Sequence, residues 1–453
     1  SAGVSSLEVN GAPVSLGLDL AALKEIQKQS GGDITISIAP ATGISEQAKA
    51  LIGNRPVYNI TISALNDGKT TNVTSLGNGT ATLSIPYTPG QNEAVGYLFG
   101  VYVDANGKPI RIDGSAYDAN AGAILLPTGH FSVYGIGYTA PSAKFTDISS
   151  HWGKESIDYV VGRGLLSGTT ETTFAPDIAT TRGMLVTVLG RLAGVDVKAY
   201  TTNSFTDVKA DSAFRPYIEW AYKKGVVQGI GNQQFAPNRA ITREEIAVIF
   251  ANYAKATGYN LPVTRNAAAY ADASSIGSTY KTAVTAMQQA GIMMGGSSNK
   301  FSPKANATRA EVSSMLHRYI RLTIDPATAQ GWAKNDAGQW LYYKGGKALT
   351  GTQTIDSVKY FFNTDGTLKT GWVQDDAGNW RFYSGKAMLV GFGDLSDNGN
   401  SKTYYFTADG SMVAGKWLEI DSKWYYFNPD GSLVKGTKID GYEVDENGVR
   451  KVK

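Results

Sequence analysis

FTDVKADSAFRPYIEWAYKKGVVQGIGNQQFAPNRAITREE, residues 205–245, decides how the middle of this chain is read. It opens on Phe205-Thr206-Asp207, reaches Gly229, passes Phe235-Ala236-Pro237 and closes on Thr242-Arg243-Glu244-Glu245. The same elements recur on either side of it. Phe145-Thr146-Asp147, Gly168, Phe174-Ala175-Pro176 and Thr181-Arg182 come before; Tyr270-Ala271-Asp272, Gly295, Phe301-Ser302-Pro303 and Thr308-Arg309 come after. In all three copies Gly to Phe is six residues and Phe to Arg is eight. Spacing this regular is a repeat, and the amphipathic runs between the elements are helical. Residues 142–197, 202–260 and 267–325 are therefore read as three helix–loop–helix units.

These units resemble the S-layer homology family, and the resemblance covers roughly 180 residues. It implies three units arranged around a pseudo-threefold axis. It further implies non-covalent binding to secondary cell wall polysaccharide, often through a pyruvate ketal on its terminal sugar.

The Thr-Arg element has two readings. In Thr242-Arg243-Glu244-Glu245 and Thr308-Arg309-Ala310-Glu311 the Thr would cap a helix and the Glu would complete a capping box. Capping does not explain the Arg, which is disfavoured at the positive end of a helix. A guanidinium beside free backbone N–H groups makes an anion site, and a ketal carboxylate suits it. With the family resemblance, Arg182, Arg243 and Arg309 become the expected anion contacts. The first unit reads Thr181-Arg182-Gly183-Met184 and lacks the Glu, which weakens its site if the Glu orients the Arg. Asp147, Asp207 and Asp272 are turn caps or groove residues. Trp152 and Trp220 are core residues or sugar platforms at a groove edge.

The flanks differ in character. Residues 4–140 show short alternating runs at Asp33–Ala39, Val57–Leu65, Ala81–Ile85, Val95–Val103, Ala123–Leu126 and Phe131–Tyr138, separated by turn signals such as Asn66-Asp67-Gly68 and Asn106-Gly107. That pattern reads as a β-sandwich, a spacer for a displayed part, with one helix at Leu20–Gln27 capped by Asp19. Residues 331–453 repeat at about 20 residues, each unit pairing a Gly start with an aromatic cluster and an Asp-Gly-type turn. They resemble the cell-wall-binding repeats of choline-binding and glucan-binding proteins, which implies a β-hairpin solenoid. Six of the eight Trp lie there. Trp332, Trp340, Trp372, Trp380, Trp417 and Trp424, with Tyr343, Tyr383 and Tyr426, are the expected aromatic contacts to a choline ammonium or a sugar face. Alternate residues of each cluster are expected in the hairpin core. The fourth unit is lengthened by Asp394–Asn400, so a uniform choline array is not expected.

Composition bounds the rest. At 453 residues the chain is multidomain, and 42% hydrophobic content supports packed cores. Net charge is +3 without basic clusters, which argues against nucleic acid. With no Cys there are no disulfides or zinc–thiolate sites. No run of about 18 apolar residues is present, so no membrane insertion is expected. No metal, cofactor or catalytic signature is apparent, although His130-Phe131-Ser132 resembles the cleavage site of autoproteolytic β-sandwiches. Ser1-Ala2-Gly3 reads as a processed or appended start, so an upstream part is expected. The leading reading is a non-catalytic anchor in the extracellular cell wall or S-layer, bound to secondary cell wall polysaccharide and, through the tail, to a choline-bearing polymer or glucan. The alternatives are a self-assembling S-layer scaffold and self-cleavage between Phe131 and Ser132.

Overall fold

The computed structural model describes residues 6–11, 13–30, 33–66, 69–140, 145–397 and 400–451. Ser1-Ala2-Gly3, the Asp67-Gly68 turn, residues 141–144 at the head of the first helical repeat and residues 398–399 of the lengthened hairpin lie outside them. Two compact units result. The first runs to Gly338 and takes in Gly345–Lys347; the second holds Gln339–Lys344 and Ala348–Lys453. The aromatic spacing begins at Gly331, yet Gly331–Gly338 packs with the first unit.

The N-terminal region is built of β1 (Ser6–Val9), β2 (Ser15–Asp19), α1 (Leu20–Gln29), β3 (Ile34–Pro40), α2 (Glu46–Ile52), β4 (Val57–Asn66), β5 (Lys69–Asn72), β6 (Ala81–Pro86), β7 (Leu98–Val103), β8 (Pro109–Ile112), β9 (Ala116–Asp118), β10 (Ala123–Thr128) and β11 (Val133–Tyr138). One antiparallel sheet has the order β1-β2-β6-β10-β9; the other runs β3-β4-β11-β7-β8, with β5 on β4. Alternation places Leu16, Leu83, Ile85 and Ile124 of the first sheet in one core with Ile60, Ile62, Leu98 and Ile136 of the second. Asp19 caps α1 as its position suggests, accepting from the Ala22 amide at 2.7 Å. Asn106-Gly107 turns β7 into β8, with Gly107 at φ 78°. Val95–Tyr97 forms a 3₁₀ turn before β7 instead of extending the strand. Helix α2 has no clear periodic signal in seven residues, but Ser45 caps it and Ala48 and Ile52 are buried.

Each helical repeat contributes two helices: α3 (Lys154–Gly162) and α4 (Arg182–Leu192), α5 (Arg215–Lys223) and α6 (Arg243–Ala256), α7 (Lys281–Gln289) and α8 (Arg309–Ile324). The residues just before α4, α6 and α8 close a ring. Thr180 N–H donates to the Ala307 carbonyl (2.8 Å), Ala307 to Ile241 (3.0 Å) and Ile241 back to Thr180 (3.0 Å). Around that ring lies one core holding Phe174, Phe235, Phe301, Leu189, Phe250 and Leu316. The β-region is docked on the helices: Arg163 Nη2 donates to the Ser115 carbonyl at 2.5 Å, and Arg321 pairs with Asp118 at 2.5 Å.

The second unit is a series of antiparallel hairpins. Gly351–Ile355 pairs with Val358–Phe362, Gly371–Gln374 with Trp380–Ser384, Gly391–Asp397 with Asn400–Phe406, and Lys416–Ile420 with Lys423–Phe427. Successive hairpins are tied by backbone bonds such as Met412 N–H to Trp380 carbonyl and Leu433 N–H to Thr403 carbonyl. Phe362, Tyr383, Phe406 and Phe427 fill the core, the alternate-face residues of each cluster.

Candidate functional site

The three helical repeats meet in three equivalent grooves, each built from the Phe-x-Pro loop of one repeat and the Arg of the preceding one. The loop needs help to form. Its central residue, Ala175, Ala236 or Ser302, has φ of 55°, 57° or 55°, a left-handed conformation unfavourable for a residue with a side chain. Asp147, Asp207 and Asp272 hold it there. Asp207 accepts from Phe235 N–H (2.8 Å) and Ala236 N–H (2.7 Å), and the other two repeat the pattern on Phe174-Ala175 and Phe301-Ser302. Burial works against the Asp147 carboxylate, but those amides outweigh it and hold its pKa below the ordinary value. The repeat Gly sits under the opening aromatic: a Cβ on Gly168 would come within 2.5 Å of the Phe145 ring, and one on Gly229 within 2.8 Å of Phe205.

With the loop fixed, its carbonyls face the Arg. Arg182 donates through Nε to Phe235 O (2.9 Å) and through Nη2 to Gln228 O (2.9 Å). Arg243 repeats this on Phe301 (2.7 Å) and Met294 (2.9 Å), and Arg309 on Phe174 (3.0 Å) and Ser167 (2.6 Å). Each guanidinium also lies over the loop Phe ring, at 4.6, 5.1 and 4.3 Å respectively. All three are buried, and each reaches into the next repeat, so the motif links neighbours in a cycle. The helix-start amides are used as well. Arg182 N–H bonds Arg239 O, Gly183 N–H bonds Pro237 O, and the starts of α6 and α8 do the same on Ala305, Pro303, Ile178 and Pro176. Sequence reasoning counted those amides as free to help hold an anion; they are taken by the adjoining loop.

What remains for a ligand differs among the grooves. Arg182 and Arg309 each keep Nη1 without a hydrogen-bond partner among the described residues. Burial lowers the pKa of both, opposed by Glu245 and Asp147 respectively. A cleft of about 330 Å³ opens on Arg182, lined also by Gln228, Gly229, Glu245, Asn252 and Tyr280. In the Arg243 groove every nitrogen is engaged: Nη1 pairs with Glu311 at 2.8 Å, and Nη2 pairs with Asp336 at 2.7 Å. Burial there also acts to lower the pKa, but Asp336 and Glu311 overcome it and raise Arg243 above the ordinary value.

The Glu of the capping box thus has a second role that its own repeat does not reveal. Glu245 and Glu311 cap α6 and α8, but Glu311 pairs with the Arg of the preceding repeat. Met184, standing where the first repeat lacks a Glu, therefore changes the groove of Arg309 and not that of Arg182. Trp220 is buried at 5% exposure, edge-on to Tyr253. Trp152 is half-buried against the helical core and lies where a Cβ on Gly338 would meet it.

The tail aromatics separate by face. Tyr383 is in the hairpin core, its hydroxyl donating to Lys359 O. Trp372 and Trp380 are 37% and 40% exposed, 6.4 Å apart and nearly perpendicular, with Tyr404 4.9 Å from Trp372. A cleft of about 500 Å³ runs beside them, lined by Gln339, Asn363, Lys369 and Gln374. The other Trp residues have neighbours from the chain itself. Lys386 Nζ lies 4.4 Å over Trp340, and Trp332 bonds Asn120 through its backbone. Arg450 stands over Trp417, Trp424 and Tyr442 at 5.9, 5.3 and 4.6 Å. Tyr426 packs on Trp417 at 5.3 Å, while Tyr343 is half-buried in its hairpin.

The S-layer homology family matches residues 144–183, 204–247 and 269–313, and the choline-binding repeat family matches 349–391 and 397–437. This chain carries three S-layer homology domains followed by choline-binding repeats. An amylopullulanase of Thermoanaerobacterium thermosulfurigenes is 29% identical over 67% of this chain and 15% of its own length. An S-layer protein of Bacillus thuringiensis subsp. finitimus is 28% identical over 39% of this chain and 21% of its own. The chain thus spans a small fraction of the curated relatives it matches. Choline binding protein F from Streptococcus pneumoniae is 28% identical over 27% of this chain and 48% of that one, with a TM-score of 0.18, too low to bear on the fold. S-layer homology domains and choline-binding repeats are binding modules, and together they support anchoring at the cell wall.

The remaining sequence candidates are apart. Ser132 Oγ donates to Val103 O, while His130 Nδ1 is paired with the Tyr134 hydroxyl at 3.0 Å. The backbone there has no left-handed residue. Among the described residues no group of three or more His, Asp or Glu is placed to hold a metal ion, and no helix is long and apolar enough to cross a membrane. Sequence reasoning missed Asp336 and Arg450. Asp336 belongs to an ordinary Asn-Asp-Ala-Gly turn, and Arg450 lies outside any aromatic cluster, so neither carried a local signal.

Proposed function

We propose that this chain is the wall-binding part of a bacterial surface protein, and that its S-layer homology grooves take the ketal carboxylate of a pyruvylated secondary cell wall polysaccharide. The observation that carries this reading is the Arg182 groove. A buried guanidinium is fixed on two carbonyls and one ring, with Nη1 left over beside a cleft large enough for a sugar. A planar cation fixed in this way meets a carboxylate with little ordering cost. Three repeats closed by the Thr180–Ala307–Ile241 ring form a pseudo-threefold module, and the two N-terminal sheets form a sandwich docked to it. In the tail, Trp372, Trp380 and Tyr404 supply a second contact, for a choline ammonium or a sugar face. Two weak contacts to one wall reinforce each other because the second is intramolecular. The site of action is the outer cell surface.

Cosedimentation with purified cell walls tests this, before and after mild acid removal of pyruvate ketals. Arg182→Ala and Arg309→Ala together should abolish pelleting to the same degree as the acid treatment. Full pelleting after both would put the wall contact in the aromatic tail and sink the arginine assignment. The self-assembling scaffold reading has support in the S-layer relative; concentration-dependent sheets of the isolated chain would favour it.

A further inference from the structure

The three grooves share one plan, and a third position in it differs in an informative way. Nine residues after each Arg comes Arg191, Asn252 or Arg318, and each donates to the carbonyl 26 residues before it: Leu165, Val226 or Ile292. The groove of Arg309 therefore carries Arg191 and, at the Glu position, Met184. The groove of Arg182 carries Asn252 and Glu245, the latter bound to Arg239 at 2.6 Å. The groove of Arg243 carries Arg318 and Glu311, and it also carries Asp336.

Asp336 is held as a ligand is held. Its Oδ2 accepts from Arg243 Nη2 (2.7 Å) and from Met294 N–H (3.1 Å), and its Oδ1 accepts from Arg318 Nη1 (2.7 Å). Its backbone N–H donates to Gly295 O (3.2 Å), and Arg318 Nη2 grips the neighbouring Lys334 carbonyl (2.7 Å). The side chain is 1% exposed. Met294 sits just before the repeat Gly, the position filled by Gln228 and Ser167 in the other grooves. The corresponding turn two hairpins on, Asp375-Asp376-Ala377-Gly378, leaves Asp376 exposed, so burial of Asp336 comes from the groove and not from the turn. Two guanidinium groups now face two carboxylates. A third carboxylate entering this dry pocket would leave one anion unpaired, which is strongly unfavourable.

We propose that Asp336 is the resident ligand of the Arg243 groove, so that the helical module accepts carboxylate-bearing glycan in two grooves, those of Arg182 and Arg309, and uses the third to fasten the segment that follows α8. This rests on the reading of the arginines as carboxylate contacts given above.

Titration calorimetry of the full chain with a methyl glycoside carrying a pyruvate ketal tests it. Wild type should take up two equivalents. Arg243→Ala should still take up two, because its groove holds no sugar. Asp336→Lys sets a cation against Arg243 and Arg318, expels the segment and should raise the stoichiometry to three. Three equivalents in wild type, loss of one in Arg243→Ala, or two in an Asp336→Lys protein with a native circular dichroism spectrum would each overturn the inference. If Arg243→Ala does not fold, the wild-type and Asp336→Lys values still decide. Absence of any binding by wild type would instead remove the arginine reading, and this inference with it.

Discussion

The grooves of Arg182 and Arg243 come from the same motif and hold equivalent carbonyls, yet among the described residues one guanidinium has a nitrogen without a partner and the other has none to spare. Repetition supplied the frame, and Glu311 of the next repeat together with Asp336 beyond the repeats decided its use. The two arginines should therefore fail differently when removed. Arg243→Ala takes from buried Asp336 one of its two arginines and from Glu311 its paired guanidinium, a loss on the order of 3–5 kcal/mol of stability. Arg182→Ala orphans only carbonyl acceptors, a loss of about 1–3 kcal/mol. Urea unfolding of the two variants measures the difference, with wall pelleting run alongside. Arg243→Ala should be the less stable protein and the better binder. If the two lose stability equally, Asp336 is not the partner that separates them.

Much of this was legible in sequence because a threefold repeat averages away local ambiguity. The Phe-x-Asp, Gly, Phe-x-Pro and Thr-Arg spacing located every groove residue contributed by the motif. Sequence did not show that the Arg of one repeat serves the loop of the next, since spacing within a unit carries no information about contacts between units. That is why the missing Glu at Met184 was assigned to its own repeat, whereas it alters the Arg309 groove. Asp147, Asp207 and Asp272 were recognised as turn or groove residues, and they brace the left-handed loop residue. In the β-region the alternating runs gave most strands. The short β1, β2, β5, β8 and β9 and the helix α2 were missed because three to seven residues cannot establish a period, and packing decides them instead.

The acidic turns of the tail are satisfied groups like Asp336. Asp375 is bound to the buried Arg381, which holds its pKa far below the ordinary value. Asp409, hydrogen-bonded by the Thr407 and Ser411 hydroxyls, and Asp430, hydrogen-bonded by Ser432, are each lowered to about 2. Groups whose folded pKa is depressed stabilise the fold fully above their unfolded value of 3.8 and lose that contribution as pH falls through the folded value. Acid titration followed by tryptophan fluorescence should then show the hairpins loosening between about pH 4 and 2. Replacing Asp409 and Asp430 by Asn should weaken that dependence, with Asp375 keeping its share. A transition that keeps its midpoint in the double variant would place the acid sensitivity elsewhere.

The smallest effect concerns Arg450, which is expected to do in the tail what is proposed for Asp336 among the helices. Its guanidinium stands over Trp417, Trp424 and Tyr442, the kind of aromatic cluster that would otherwise attract a ligand cation, while among the described residues no arginine stands over Trp372 and Trp380. Cation–π attraction at a partly exposed site contributes about 0.5–1 kcal/mol, so Arg450→Ala should cost little stability. It should also leave a second cage open to a small quaternary ammonium. Choline titrated into Arg450→Ala, read by the intrinsic fluorescence of Trp417 and Trp424 in a Trp372→Phe/Trp380→Phe background, should give a saturable change that the same background with Arg450 intact lacks. An identical response with and without Arg450 would mean the arginine packs on these rings without occupying a binding place. The parallel between the two modules would then end at the helical grooves, where the occupant is a carboxylate gripped by two arginines and an amide.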